Sequence, residues 1–102
     1  MSASSQVRIA LQVDPKDNTA TIFADDISAG ATVEVRDPQG GCHPLKVLAD
    51  VPYGHKIALR DIARGEHIIK YGESIGAAER DIPAGDYVHV HNIVALRGRG
   101  DL

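Results

Sequence analysis

Two imidazoles two residues apart are the first groups in this chain that could do chemistry. They are His89 and His91, in the stretch Asp86-Tyr87-Val88-His89-Val90-His91-Asn92. Apolar and polar residues alternate there with period two, the pattern of a half-buried strand. Val88 and Val90 are expected to face a core, leaving both histidines on the opposite face. Two residues apart along a strand is about 6.5–7 Å at Cα, so both rings can reach one metal ion at ~2.1 Å. Proton transfer and anion binding are the other roles open to such a pair. A complete metal site needs a third ligand from His55, His67, a carboxylate or another chain.

Two further clusters carry reactive groups. Pro52-Tyr53-Gly54-His55-Lys56 places an imidazole and an ammonium just after a turn, where binding groups concentrate. Ile69-Lys70-Tyr71-Gly72-Glu73 places Lys70 next to a glycine turn. If Ile69 faces the core, Lys70 faces outward and can meet an anionic substrate, with Glu73 as a surface partner. Gly54 and Gly72 are expected to serve turns. Cys42-His43 follows Gly40-Gly41 and precedes Pro44, so a loop is expected, and its spacing matches no zinc motif.

The elements that must position these groups read as short strands. Val7 to Val13 alternates cleanly, with Val7, Ile9, Leu11 and Val13 on one face. Asp14-Pro15-Lys16-Asp17-Asn18 turns the chain into a returning strand, Thr19 to Ala24. Shorter strands follow over Thr32–Arg36, Leu45–Leu48, Lys56–Leu59, Glu66–Tyr71 and Ser74–Ala77. A pattern Asp-Ile-x-x-Gly-x-x-(Val/Ile) recurs from Asp26, Asp61 and Asp81. In each copy the Ile is expected to plug the core, a one-turn helical corner to follow, and the Gly to end it with positive φ. No stretch of ten residues has helical periodicity. The expectation is an all-β, clip-like domain over residues 7–94, with a disordered start at 1–6 and a flexible polar tail at 95–102.

Composition narrows the class. The chain has 102 residues and a formal net charge of -3, which disfavours nucleic acid as a partner. A single cysteine forms no internal disulfide, so a reducing cytoplasm fits best. No apolar run approaches the ~20 residues that span a bilayer, so no membrane partner is expected. A domain this small supplies one wall of a pocket more readily than a whole one.

Gly54-His55-Lys56-Ile57-Ala58-Leu59, Ile69-Lys70-Tyr71-Gly72-Glu73-Ser74-Ile75-Gly76 and Val88-His89-Val90-His91-Asn92 together resemble the small SAF-type domain of the altronate and galactarate dehydratase family. They are similar to the sulfolactate sulfo-lyase small subunit as well. The resemblance implies a SAF-like β-clip and a role as small subunit or N-terminal domain of a sugar-acid hydro-lyase, inactive without a large dehydratase subunit. It implies a small anionic sugar-acid substrate and a divalent metal, Fe2+ first and Mn2+ or Mg2+ as alternatives, held mostly by the large subunit. A homo-oligomer is compatible with it. On this basis His89 and His91 are the expected catalytic residues and metal ligands, and His55, Lys70, Tyr71 and Gly72 the expected substrate-binding ones. A non-catalytic sugar-acid-binding or assembly module is the alternative, as is a sulfo-lyase subunit.

Overall fold

Short strands reversed by tight corners build this chain. The computed structural model describes residues 8–88 and the backbone of 93–94. The expected frayed start, the 95–102 tail and residues 89–92, with His89 and His91, lie outside the described residues. The strands are β1 (Ile9–Leu11), β2 (Thr19–Phe23), β3 (Thr32–Arg36), β4 (Cys42–Lys46), β5 (Lys56–Ala58), β6 (His67–Lys70), β7 (Glu73–Ala78), β8 (Tyr87–Val88) and β9 (Ile93–Val94). They form a six-stranded sheet in the order β4-β3-β1-β2-β5-β8 and a three-stranded sheet in the order β6-β7-β9. The architecture is all-β, and no helix among the described residues is long and apolar enough to cross a membrane.

The repeated corner exists four times. The copies starting at Asp26, Asp61 and Asp81 are joined by Asp50-Val51-Pro52-Tyr53-Gly54-His55-Lys56-Ile57, in which Val replaces the first Ile. Each corner is a single hydrogen-bonded turn, closed by Ala31 N–H to Ser28 C=O, His55 to Pro52, Glu66 to Ala63 and Asp86 to Pro83. Its third residue is a glycine with φ between +85 and +92 (Gly54, Gly65, Gly85, Gly30). That is a type II β-turn. The expected helical turn does not form, because the glycine has already left the helical region.

The corners interlock in two pairs. Ile27 bridges Val51, and Ile62 bridges Ile82, antiparallel in both cases. Within a pair each glycine N–H donates to a residue of the partner unit, and that residue donates back to the carbonyl after the glycine. Gly54 and His55 close on Ile22, Gly30 and Ala31 on Val47, Gly65 and Glu66 on Ala78, and Gly85 and Asp86 on Ala58. The corner aspartates join in: Arg64 N–H donates to Asp81 and Ala84 N–H to Asp61. The four bridging aliphatics are all at most 3% exposed.

Two cores result. Ala10, Ala20, Ile22, Val33, Val35 and Ile57 line the first. Ala58, Ile62, Ile68, Ala78, Ile82 and Val88 form the second. Ile57 and Ala58 are neighbours, so β5 separates the cores and feeds both. Val88 is fully buried, as its alternation predicted.

Three local expectations change. The buried residue of β1 is Ala10, whereas Ile9 and Leu11 are half-buried and Val13 is 48% exposed. The apolar stripe therefore lies on the face away from the first core. Cys42 and His43 are not in a loop: both lie in the edge strand β4, paired with Arg36 and Val35. An edge strand tolerates Pro44 because its missing N–H costs no ladder bond there. In the β6–β7 hairpin the register skips Ile75, since Ile68 opposes Gly76 while Ile69 opposes Ser74. This bulge makes Ile68 the core residue and leaves Ile69 and Lys70 both half-buried.

Candidate functional site

The tip of the β6–β7 hairpin presents the first functional cluster. Lys70 opposes Glu73, so Tyr71-Gly72 is a two-residue loop, with φ of +56 at Tyr71 and +77 at Gly72. Two consecutive positive values are the type I′ geometry that matches strand twist, usually met by Asn-Gly. A tyrosine in the first position is strained. The ring gains little from packing, being 56% exposed. It lies beneath the Lys70 ammonium, with Nζ 4.8 Å from the ring centroid.

The hairpin is held down by the Asp14–Asn18 turn. Asn18 mimics a strand: its side-chain amide donates to His67 C=O and its oxygen accepts from Ile69 N–H, at 2.9 and 2.8 Å. Thr19 Oγ1 donates to Ile69 C=O, and Gly72 N–H donates to the buried Asp17 carboxylate. A Cβ on Gly72 would stand 2.9 Å from the Asp14 carboxylate, so the turn fits closely only with glycine.

Lys56 completes the cluster. It is half-buried in β5, opposite Thr21 on one side and Val88 on the other. Burial, and then the charge of Lys70, hold its ammonium below the ordinary value of 10.5. The ion pairs among the described residues are Arg36–Glu34 and Arg60–Glu66, so neither lysine is neutralised by a described carboxylate. Lys70 turns to the Tyr71 ring rather than to Glu73. Burial and a second positive charge both disfavour the protonated form of such an ammonium.

His55 belongs to a different face. Successive residues of an extended strand alternate sides, so His55 and Lys56 leave β5 in opposite directions. His55 sits opposite Ile22, whose N–H it accepts, and shares its side with Ile57 and Tyr87. The Tyr87 hydroxyl lies 2.7 Å from His55 Nδ1, and the rings meet at 66° with centroids 5.6 Å apart. Of the residues expected from sequence to bind substrate, the structure thus gathers Lys70, Tyr71 and Gly72, and separates His55 from them. Lys56 was expected beside His55 after the turn, not in the vicinity of Lys70, and Tyr87 was not singled out. The signal for Tyr87 was its place in the alternation; burial of Lys56 leaves no local mark in sequence.

The metal implied by the family resemblance would need at least three converging donors. Among the described residues no three His, Cys, Asp or Glu side chains gather as a metal centre requires. His67 Nδ1 is taken up by Ser74 Oγ at 2.7 Å, and His43 lies exposed on the edge strand. The described residues do not fit such a metal. His89 and His91 lie outside them.

Residues 8–96 match the family model described as the altronate/galactarate dehydratase SAF domain. Over 82 residues, 80% of this chain, the sequence is 42% identical to an altronate dehydratase of Escherichia coli K12, and the match covers 15% of that protein. A galactarate dehydratase (L-threo-forming) of the same organism is 38% identical over 84 residues, again 15% of its length. The (2R)-sulfolactate sulfo-lyase subunit alpha of Chromohalobacter salexigens is 35% identical over 86 residues, 82% of this chain and 90% of that subunit.

Proposed function

Because the chain belongs to the altronate/galactarate dehydratase SAF-domain family, we propose that it acts as a small subunit or N-terminal domain of a hydroxy-acid lyase, offering Lys56 and Lys70 to the substrate carboxylate. The other walls of the site belong to a larger catalytic polypeptide. One observation carries this reading: Lys56, half-buried, lies within the field of Lys70, and neither has a described carboxylate partner.

The chemistry of elimination explains why such a pair is useful. Loss of water from a sugar acid begins with removal of the proton beside the carboxylate. The carbon acid is weak, and negative charge builds on the carboxylate oxygens as the proton leaves. Two ammonium groups at those oxygens interact more strongly with the developing dianion than with the ground-state monoanion, which is what lowers a barrier. Tyr71, fixed under Lys70, limits where that ammonium can go and offers its own hydroxyl to a substrate hydroxyl. His89 and His91 are the candidates for moving the proton.

Activity is expected only when the chain is combined with the large polypeptide. In that assembly Lys70→Ala should lower kcat/KM roughly 10–100-fold, the loss of one charge-assisted hydrogen bond, and the Lys56→Met/Lys70→Ala pair should lower it further. His89→Ala or His91→Ala should abolish turnover while sparing association. Full kcat/KM in the doubly substituted lysine variant would refute the role assigned to this site.

A second reading draws on the match over 90% of a sulfo-lyase alpha subunit. In it the same lysines hold the carboxylate of a sulfonated 2-hydroxy acid, and sulfite departs in place of hydroxide. Assaying the assembly on aldonic and aldaric acids beside sulfolactate distinguishes the two.

A further inference from the structure

The apolar stripe on the open side of β1 has no use within the described fold. Ile9 lies opposite Phe23, Leu11 opposite Thr21, and Thr21 opposite Lys56. Residues directly opposed in a ladder share a face, so Ile9, Leu11, Phe23 and Lys56 emerge on one side of the sheet, away from the first core. Phe23 is 44% exposed there, and Tyr53, 57% exposed, meets it edge-on with ring centroids 5.8 Å apart. Strand β1 is thus apolar on both faces, with Ala10 inside and Ile9 and Leu11 outside. Strands with that character belong to sheets covered on both sides. Exposed aromatics of this kind anchor protein interfaces.

The same face is continuous with the anion site through Lys56, and the occupant follows from that continuity. On the basis of the proposed function, we infer that the Ile9–Leu11–Phe23 face is the seat of the larger catalytic polypeptide, with the Phe23–Tyr53 pair as its anchor. A partner seated there reaches the margin where Lys56 and Lys70 hold substrate, and closes the site from the side this chain leaves open. The dehydratases that match this chain carry it as 15% of their length, so a much larger body adjoins the corresponding segment in them. A relative of similar length is named as a subunit alpha, a name that presupposes another subunit.

The test uses the full chain, tagged and co-produced with the large polypeptide that purifies with it, identified by mass spectrometry as a dehydratase or lyase. Dissociation constants are then measured for the parent, Phe23→Lys, Tyr53→Lys and Lys70→Ala chains. Both aromatic positions are exposed, so thermal unfolding of either lysine variant alone should match the parent. Each should weaken association at least ~10-fold, as loss of an interface anchor does, while Lys70→Ala leaves it unchanged. Association indifferent to both lysine variants would overturn the interface and leave the proposed function standing. A parent chain that pairs only with itself, through a contact that Phe23→Lys abolishes, would assign the face to a second copy and overturn the inference. If no dehydratase or lyase polypeptide associates with the parent chain, the proposed function falls and the interface falls with it.

Discussion

Tyr71 is the residue whose presence costs most and whose replacement teaches most. It occupies the first loop position of a type I′ hairpin at φ +56, where its Cβ crowds the following carbonyl. That conformation costs a non-glycine residue about 1–2 kcal/mol. Among the described residues the compensation is the Lys70 ammonium over the ring, at 4.8 Å. A cation–π contact at an exposed site returns about 0.5–1 kcal/mol. Asparagine tolerates the same φ far better, so Tyr71→Asn removes most of the strain and forfeits the ring contact. The balance is a gain of roughly 0.5–1 kcal/mol, or a Tm rise of about 2–8 °C for a domain of this size. Thermal unfolding of the full chain followed by circular dichroism reads it directly. Tyr71→Ala is the control, because it loses the ring while keeping a Cβ in the strained conformation, and its Tm should stay level or fall. If Tyr71→Asn is no more stable than Tyr71→Ala, the backbone strain is not real. If the asparagine variant is more stable and the assembled enzyme keeps full kcat/KM, the strain is not maintained for function.

Three further outcomes test other parts of the structure. Gly30 and Gly85 hold the same place in two corners at nearly the same φ, +92 and +88, yet a Cβ at Gly30 meets open space and one at Gly85 overlaps the Lys46 carbonyl oxygen. Gly30→Ala should therefore cost about 1 kcal/mol and Gly85→Ala about 2–4 kcal/mol in denaturant unfolding; equal losses would remove the steric argument. Lys56→Met should stabilise the chain at neutral pH by roughly 0.5–1 kcal/mol, the scale of a partly solvated charge pair. Its folded-state affinity for the proton is below the ordinary 10.5, so the penalty is full at neutral pH and fades as rising pH neutralises the folded lysine first; the gap between variant and parent should narrow toward pH 10, and a gap that widens would contradict the assignment. Asn18→Ala leaves Ile69 N–H and His67 C=O without their side-chain partner, costing about 1–3 kcal/mol, and the faster amide exchange should concentrate at Ile69 in β6.

How much of this was legible in the sequence depends on whether a residue's role is set by its neighbours in the chain. The corners were readable because a glycine forced to positive φ and an aliphatic plug recur at fixed spacing. The fourth copy escaped because Val51 stands for Ile and Pro52-Tyr53 looks like an unrelated break, although the Asp50 and Gly54 spacing was intact. The β1 alternation gave the strand and misplaced its inner face: Ala10, the smaller residue, packs inside with Ile22, Val33 and Val35. Period-two patterning reports that two faces differ, and it identifies the buried one only when the other is polar. In β1 the other face is apolar as well, which is itself the sign of a second covering layer.

The lysine pair shows where local reading stops. Lys56 and Lys70 are fourteen residues apart and lie on strands of different sheets. Asn18 and Thr19 hold the β6–β7 hairpin against the sheet, and β2 also pairs with β5. One strand thus positions the backbone segments that carry both lysines. The bulge at Ile75 is part of the same device, since it shifts the inward position to Ile68 and leaves Lys70 half-buried at the tip. In the proposed function the positive charge of this pair is relieved when an anion arrives. A module built this way is completed by what it binds, which is the physical reason to look for its activity in an assembly rather than in the chain alone.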